Sequence, residues 1–111
     1  MITLTWTAWN NGQHAPSGTG YGIKVPIGDR DKHFRHSWKT ITLDVPAKNG
    51  YKQVKVNIAN KSFWSDTCHE LISKEIGAWL VSSGKAPWPL RRPPKLRIAL
   101  VSEGHFRIVS S

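Results

Sequence analysis

Short segments in which apolar and polar residues alternate recur along this chain of 111 residues. Such alternation is typical of β-strands with one buried face, because successive side chains point to opposite sides of a sheet. The apolar positions form six groups: Ile2, Leu4 and Trp6; Tyr21, Ile23 and Val25; Ile41, Leu43 and Val45; Val54, Val56 and Ile58; Leu96, Ile98 and Leu100; and Phe106 with Ile108. Asn49-Gly50 predicts a hairpin turn between the third and fourth groups. Six short strands in so small a chain favour a barrel or a sandwich.

Two short helices are predicted between the strands. The first covers residues 29–34, after a proline and a glycine. The second covers residues 68–81, because Thr67 and Glu70 have the spacing of a capping box ahead of an apolar stripe. Gly77 lies inside this helix at a cost in helix stability, which indicates close packing at that point. The stripe consists of Ile72, Ile76, Trp79 and Leu80.

Basic residues outnumber acidic ones. Sixteen Lys and Arg against seven Asp and Glu give a formal net charge of +9. No acid occurs between Glu75 and Glu103. A surplus concentrated in this way is typical of a surface that binds phosphate groups, although a merely soluble basic protein is the alternative. The basic residues of that interval are Lys85, Arg91, Arg92, Lys95 and Arg97.

The length predicts a single domain over residues 1–111. Cys68 is the one cysteine, which excludes an intramolecular disulfide and a cysteine cluster for zinc and favours a reduced compartment. The start lacks a basic region followed by a long apolar run, and no segment approaches ~20 continuous apolar residues. We therefore expect a cytoplasmic protein that does not enter a membrane.

A polar, glycine-rich segment, residues 10–26, runs directly into a strand. Its glycines permit backbone conformations that other residues resist and allow a ligand to approach the main chain. Its uncharged hydrogen-bonding side chains are of the kind that reads base edges in a DNA groove. The segment is either a recognition loop or a flexible connection. These side chains belong to Asn10, Asn11, Gln13, His14, Ser17 and Thr19.

A second polar segment, residues 60–70, connects a strand to the longer predicted helix. It offers Asn60 together with several hydroxyl and charged groups, so two loops of this kind can grip a duplex from both sides. Phe63 and Trp64 within it either stack on bases or close the core.

Motifs for cofactors and metals are weak. Residues 18–22, Gly-Thr-Gly-Tyr-Gly, match neither a dinucleotide fingerprint nor a phosphate loop. His33 and His36 lie near Asp29 and Asp31, but no further ligands complete a metal site. We expect these four residues to be exposed to solvent, and we expect neither a metal nor a cofactor.

The order of elements resembles a known family. Residues 17–26, Ser-Gly-Thr-Gly-Tyr-Gly-Ile-Lys-Val-Pro, precede a short helix, and the strand over residues 54–60 leads into a polar arm and a helix bearing Trp79. This pattern resembles the EcoRII-type effector DNA-binding domain. That fold is the DNA-binding pseudobarrel shared with plant B3 domains and with specificity modules attached to phospholipase-D-like restriction nucleases.

The resemblance implies an open seven-stranded barrel that sets two arms, like the jaws of a wrench, into the major groove of duplex DNA. The N-terminal arm matches residues 10–21 and the C-terminal arm matches residues 61–70. The second arm departs from the EcoRII pattern, which is dense in Lys and Arg, so the target sequence does not transfer. The nuclease domain of restriction relatives is also absent, which implies a module that stands alone, or one detached from or paired with a separate nuclease subunit or domain.

We therefore expect a mainly β protein with two short helices that binds double-stranded DNA sequence-selectively and is not an enzyme. One alternative is a small metal-independent nuclease or toxin-like enzyme that acts on RNA through His14, His69 and Glu70 as general acid and base. Another is an RNA-binding barrel that stacks single strands on exposed aromatic side chains. The expected DNA contacts are Asn10, Asn11, Gln13, His14, Ser17, Thr19, Tyr21 and Lys24 on the first arm, Lys61, Ser62, Trp64, Ser65, Asp66, Thr67, His69 and Glu70 on the second, and Arg91 and Arg92 on the phosphates.

Overall fold

Each of the six alternating segments forms a strand, and a seventh strand follows the second polar segment. The computed structural model describes residues 2–110. In chain order the elements are β1 (Thr3–Asn10), β2 (Tyr21–Lys24), α1 (Ile27–His33), β3 (Thr40–Ala47), β4 (Gly50–Asn57), β5 (Glu70–Ile72), α2 (Lys74–Ser82), β6 (Lys95–Ser102) and β7 (His105–Ser110).

The strands form one sheet in the order β4-β3-β7-β6-β1-β2-β5. Neighbouring strands are antiparallel, except that β3 and β7 are parallel. Ala47 pairs with Gly50, so the predicted hairpin is present as a tight turn between β3 and β4. The described part of the sheet curls into a nearly closed barrel with one unsealed seam, and β4 and β5 are its edges. The expectation of a mainly β, seven-stranded open barrel with two helices is confirmed.

Most apolar side chains of the alternating segments fill the barrel, whereas Leu4 and Leu100 are half-buried against the core and Ile2 is exposed. Trp6 is fully buried, and its ring centroid lies 5.2 Å from that of Phe106 and 6.0 Å from that of Phe34. Phe34 directly follows α1, so this short helix closes one end of the barrel. The indole N–H of Trp6 also donates to Asp29 of α1 at 3.1 Å, which holds the helix in place.

The second helix, α2, closes the other end of the barrel through the buried side chains of Ile76 and Leu80. The prediction of a helix over residues 68–81 was wrong at its start, because α2 begins after the N-cap Ser73. The Ser73 hydroxyl accepts a hydrogen bond from the backbone N–H of Glu75 at 3.1 Å, as an N-cap serine does.

Residues 70–72 pair with β2 as the strand β5 instead of forming the first helical turn. This close pairing depends on Gly22, because a Cβ atom there would lie 2.4 Å from the carbonyl oxygen of Leu71. His69, at φ 39°, also interrupts any helix that would start at Thr67. The pairing satisfies backbone groups that a helix would satisfy internally, so the predicted capping box does not form.

Two members of the predicted apolar stripe lie outside the core. Ile72 is 55% exposed on β5, and Trp79 is only half-buried on α2, with the Lys85 ammonium 5.7 Å from its ring centroid. Close packing at Gly77 is confirmed, since this residue is buried against the backbone of Gly18. The glycine in the helix is therefore a contact point between α2 and the first polar segment.

Candidate nucleic-acid interface

The two predicted arms occupy two loops: residues 11–20 between β1 and β2, the first loop, and residues 58–69 between β4 and β5, the second loop. The first loop enters β2 at Tyr21. The second loop enters β5 at Glu70, which pairs with Lys24 at the far end of β2. The loops therefore leave opposite ends of the β2–β5 pair. At about 3.3 Å per residue these ends are roughly 10 Å apart, which is comparable with the ~12 Å width of a DNA major groove.

The first loop is held by hydrogen bonds within itself. The side-chain oxygens of Asn10 and Asn11 accept from the backbone N–H two residues further on, at 3.0 and 3.2 Å, which leaves the amide N–H groups as donors for a ligand. The hydroxyl of Tyr21 lies 2.6 Å from Nδ1 of His14. Tyr21 is fully buried, so it positions His14 and does not face a ligand itself. The exposed polar residues of this loop are Asn11, Gln13, His14, Ser17 and Thr19.

The second loop is held by Arg30, a residue of α1 that the sequence analysis did not single out. Arg30 is 5% exposed, and its Nη1 donates to the carbonyl oxygens of Phe63 at 2.9 Å and Ser65 at 2.6 Å. Phe63 is fully buried, so the alternative of core packing is confirmed for it. Each loop thus rests on the helix that closes its own end of the barrel.

The indole ring of Trp64, a predicted DNA contact, packs against His36 and Arg30. The His36 ring stacks on it with centroids 3.7 Å apart, and the Arg30 guanidinium lies 5.4 Å from its centroid. Its indole N–H donates to the carbonyl oxygen of Ile58 at 2.8 Å. Trp64 therefore braces the second loop and offers little open surface for a stacked base.

Three further predicted DNA contacts of the second arm have side chains that bond within the protein. The Ser65 hydroxyl accepts the backbone N–H of Cys68 at 2.9 Å. His69 is buried, and its Nδ1 bonds with the carbonyl oxygen of Val25. The Glu70 side chain is 7% exposed and pairs with Lys24 at 3.5 Å. The residues that this loop leaves exposed are Ala59, Asn60, Lys61, Ser62, Asp66 and Thr67.

A row of polar residues crosses the outer face of the sheet beside the loops. Lys24 of β2 is opposite Thr7 of β1, which is opposite Lys95 of β6. The Lys95 ammonium lies 3.5 Å from the Thr7 hydroxyl, and the exposed Arg97 follows on the same face. Lys95 and Arg97 present cations to solvent, which is chemistry suited to phosphate oxygens. The Lys24 ammonium is instead paired with Glu70 and donates to the carbonyl oxygen of Thr67 at 3.2 Å.

The predicted phosphate contacts Arg91 and Arg92 are both exposed on the loop that joins α2 to β6, residues 83–94, which we call the third loop. Trp88 of this loop packs edge-on against Tyr21 with ring centroids 5.5 Å apart. The third loop therefore lies at the same end of the barrel as the first loop.

The residues proposed for a nuclease do not converge. His14 lies before β2, whereas His69 and Glu70 lie at the other end of that strand, and His69 is buried. Within residues 2–110 no group of three or more His, Cys, Asp or Glu side chains is arranged to hold a metal ion.

No protein-family model, curated protein or solved structure significantly matches this chain. In the part of the chain that the structure describes, no helix has the length and apolar character needed to cross a membrane. Membership in the EcoRII-type family therefore stays a prediction.

Proposed function

We propose that this chain binds double-stranded DNA sequence-selectively through the first and second loops, which enter the major groove, and that it performs no catalytic step itself. The observation that carries the proposal is the position of the two polar loops at opposite ends of the β2–β5 pair. Each loop is held by a helix, through Gly77 in one case and Arg30 in the other. Loops that are ordered before binding lose less conformational entropy when they dock.

Charge supports the proposal independently. The net charge of +9 favours association with a polyanion. Lys95 and Arg97 on the outer sheet face are exposed cations, as are Arg91 and Arg92 on the third loop, at the end of the barrel that holds the first loop. Such residues contact phosphates, set the orientation of the protein on the duplex and carry no sequence information themselves.

Base edges are contacted by the exposed polar residues of the two loops. Amide and hydroxyl groups pair with the donor and acceptor pattern that each base pair presents in the major groove. Tyr21, His69 and Glu70 are placed behind these residues and support the loops from the interior. In a restriction-type system, a separate nuclease subunit or domain would then act on the bound DNA.

Electrophoretic retardation of three labelled probes tests the proposal: duplex DNA, single-stranded DNA and RNA. We expect retardation of the duplex without cleavage, and selection from a random pool should return a consensus sequence. Asn11→Ala should erode that consensus at one or two base pairs, whereas Asn49→Ala, on the exposed β3–β4 turn, should not. Preferential retention or cleavage of RNA, or a selected pool with no consensus, would overturn the proposal.

A further inference from the structure

Leu90 is the most exposed large apolar side chain in the described part of the chain. It is 88% exposed, whereas the next highest value, that of Ile72, is 55%. It lies in a turn that the backbone N–H of Arg92 closes by donating to the carbonyl oxygen of Pro89 at 2.9 Å. Pro89 before it and Pro93 after it restrict the backbone of the turn. An apolar side chain is thus held out in solvent by a stiff segment.

The residue after Leu90 is conformationally strained. Arg91 has φ 63°, in the left-handed region that a residue with a Cβ adopts at a cost. A glycine would adopt this conformation without strain. An arginine at this position therefore indicates that its guanidinium has a role. Strained residues of this kind concentrate where a ligand is bound.

The turn has a defined neighbour. Trp88, two residues before Leu90, packs on Tyr21, whose hydroxyl bonds with His14 of the first loop. Trp88 therefore fixes the third loop beside the first loop, and the apex of the third loop begins two residues further on. Arg91 and Arg92 are both exposed at this apex, which gives it the opposite charge to DNA.

We infer that Leu90, Arg91 and Arg92 enter the minor groove next to the major-groove segment occupied by the first loop, and that Leu90 inserts between two base pairs. Arginine is attracted to a narrow minor groove by its negative potential. An apolar side chain that enters the same groove unstacks a base step and kinks the duplex. This inference rests on the proposed function and adds to it a second groove, a bend in the DNA and a preference for a flexible base step.

The test uses the full chain and a duplex recovered by selection, with 2-aminopurine placed at successive steps and donor and acceptor dyes at its two ends. We expect enhanced 2-aminopurine fluorescence at one step and a shorter end-to-end distance on binding. Leu90→Ser should abolish both signals and weaken binding about tenfold. Val101→Ser is the matched control, because Val101 is an exposed apolar residue at the other end of the barrel.

Arg91→Gly separates this role from a structural one. It should raise the thermal midpoint, because the strained φ is relieved, and still weaken binding to the duplex. Distamycin, which occupies the minor groove, should compete with the wild-type chain for the duplex.

The outcomes distinguish the two proposals. The wild-type chain could bind the duplex with no change in 2-aminopurine fluorescence or end-to-end distance, and Leu90→Ser could bind equally well. The insertion of Leu90 would then be wrong, and the proposed function would stand. If no duplex is bound at all, both are wrong. If Leu90→Ser keeps its affinity for DNA but loses binding to vesicles of phosphatidylcholine and phosphatidylserine, the turn contacts a lipid surface and the inference is overturned.

Discussion

Gly18 and Gly77 are in direct backbone contact: a Cβ atom on Gly77 would lie 1.9 Å from the carbonyl oxygen of Gly18, and one on Gly18 would lie 2.3 Å from the carbonyl carbon of Gly77. Gly18 belongs to the first loop and Gly77 to α2. Gly18 also has φ 89°, where a side chain is unfavourable in any surroundings. The position of the first loop on the barrel therefore depends on the absence of two side chains.

Gly77→Ala should destabilise the protein by about 3 kcal/mol, because neither backbone can move freely away from the added methyl group. Thermal unfolding and duplex retardation measure the loss of stability and the displacement of the first loop. Gly28→Ala, in α1, is the matched control, since no atom lies within 4 Å of its added Cβ. This control should stabilise the protein by about 0.5–1 kcal/mol. Equal effects of the two changes would contradict the contact.

Close packing at Gly77 was predictable from sequence because a helical glycine is costly without a reason. Strand β5 was not predictable, since its three residues carry no alternation and pair only because Gly22, far away in the chain, lets Leu71 approach. The start of α2 was misplaced for the same reason. Local periodicity indicates which face of a segment is buried. It does not indicate which distant strand the segment pairs with.

Part of the candidate site could likewise be predicted from the sequence, and part could not. The two polar segments were recognisable from their composition, and both are loops. Arg30 was not recognisable, because its hydrogen-bond acceptors, the carbonyl oxygens of Phe63 and Ser65, lie more than thirty residues away in the chain. The sequence of a seven-residue helix does not distinguish such a buried arginine from a solvated one.

Arg30→Met should cost about 2–4 kcal/mol, because the buried carbonyl oxygen of Phe63 and the partly buried one of Ser65 lose their donor. Duplex binding should weaken beyond the effect on stability, since the second loop loses its support. Arg35→Met is the control: its partner Glu103 is exposed, and such surface pairs contribute about 0–1 kcal/mol. Urea unfolding at neutral pH gives both values, and a difference close to zero would show that Arg30 does not hold the loop.

The N-cap of α2 predicts a pH dependence. The Ser73 hydroxyl donates to the Glu75 carboxylate at 2.7 Å, and this bond, with the backbone N–H of Glu75, holds the pKa of Glu75 below its ordinary value. Because the pKa is lower in the folded state, the stabilisation is present above the ordinary value and is lost as the pH falls through the folded value. Ser73→Ala should raise the pKa of Glu75 in an NMR titration and cost about 1 kcal/mol at neutral pH. Ser82→Ala, at the other end of α2, should leave that pKa unchanged.

Salt dependence reports the number of phosphate contacts. If about five to eight phosphates are neutralised, log affinity should fall with log salt with a slope of roughly −4 to −7. Lys95→Gln should reduce the magnitude of the slope by about 0.9 and weaken all duplexes equally. Lys48→Gln is the control, because Lys48 is exposed on the β3–β4 turn, which belongs to neither recognition loop. A wild-type slope near −1 would contradict an extended phosphate interface.

Asp66 separates base reading from phosphate binding. It is exposed in the second loop and carries a charge that phosphates repel, so a position beside the duplex is favourable only where the carboxylate accepts a hydrogen bond, for instance from a cytosine amino group. Asp66→Asn keeps the shape and exchanges one acceptor for a donor, so selection should return a different preferred base at one position. Each good base contact contributes about 1–3 kcal/mol of discrimination, which sets the size of the expected change. Glu103→Gln removes the same charge from the β6–β7 turn and should leave the preferred sequence as it is. If Asp66→Asn instead tightens binding to every duplex equally, the carboxylate acts only through its charge, and the second loop does not read bases through Asp66.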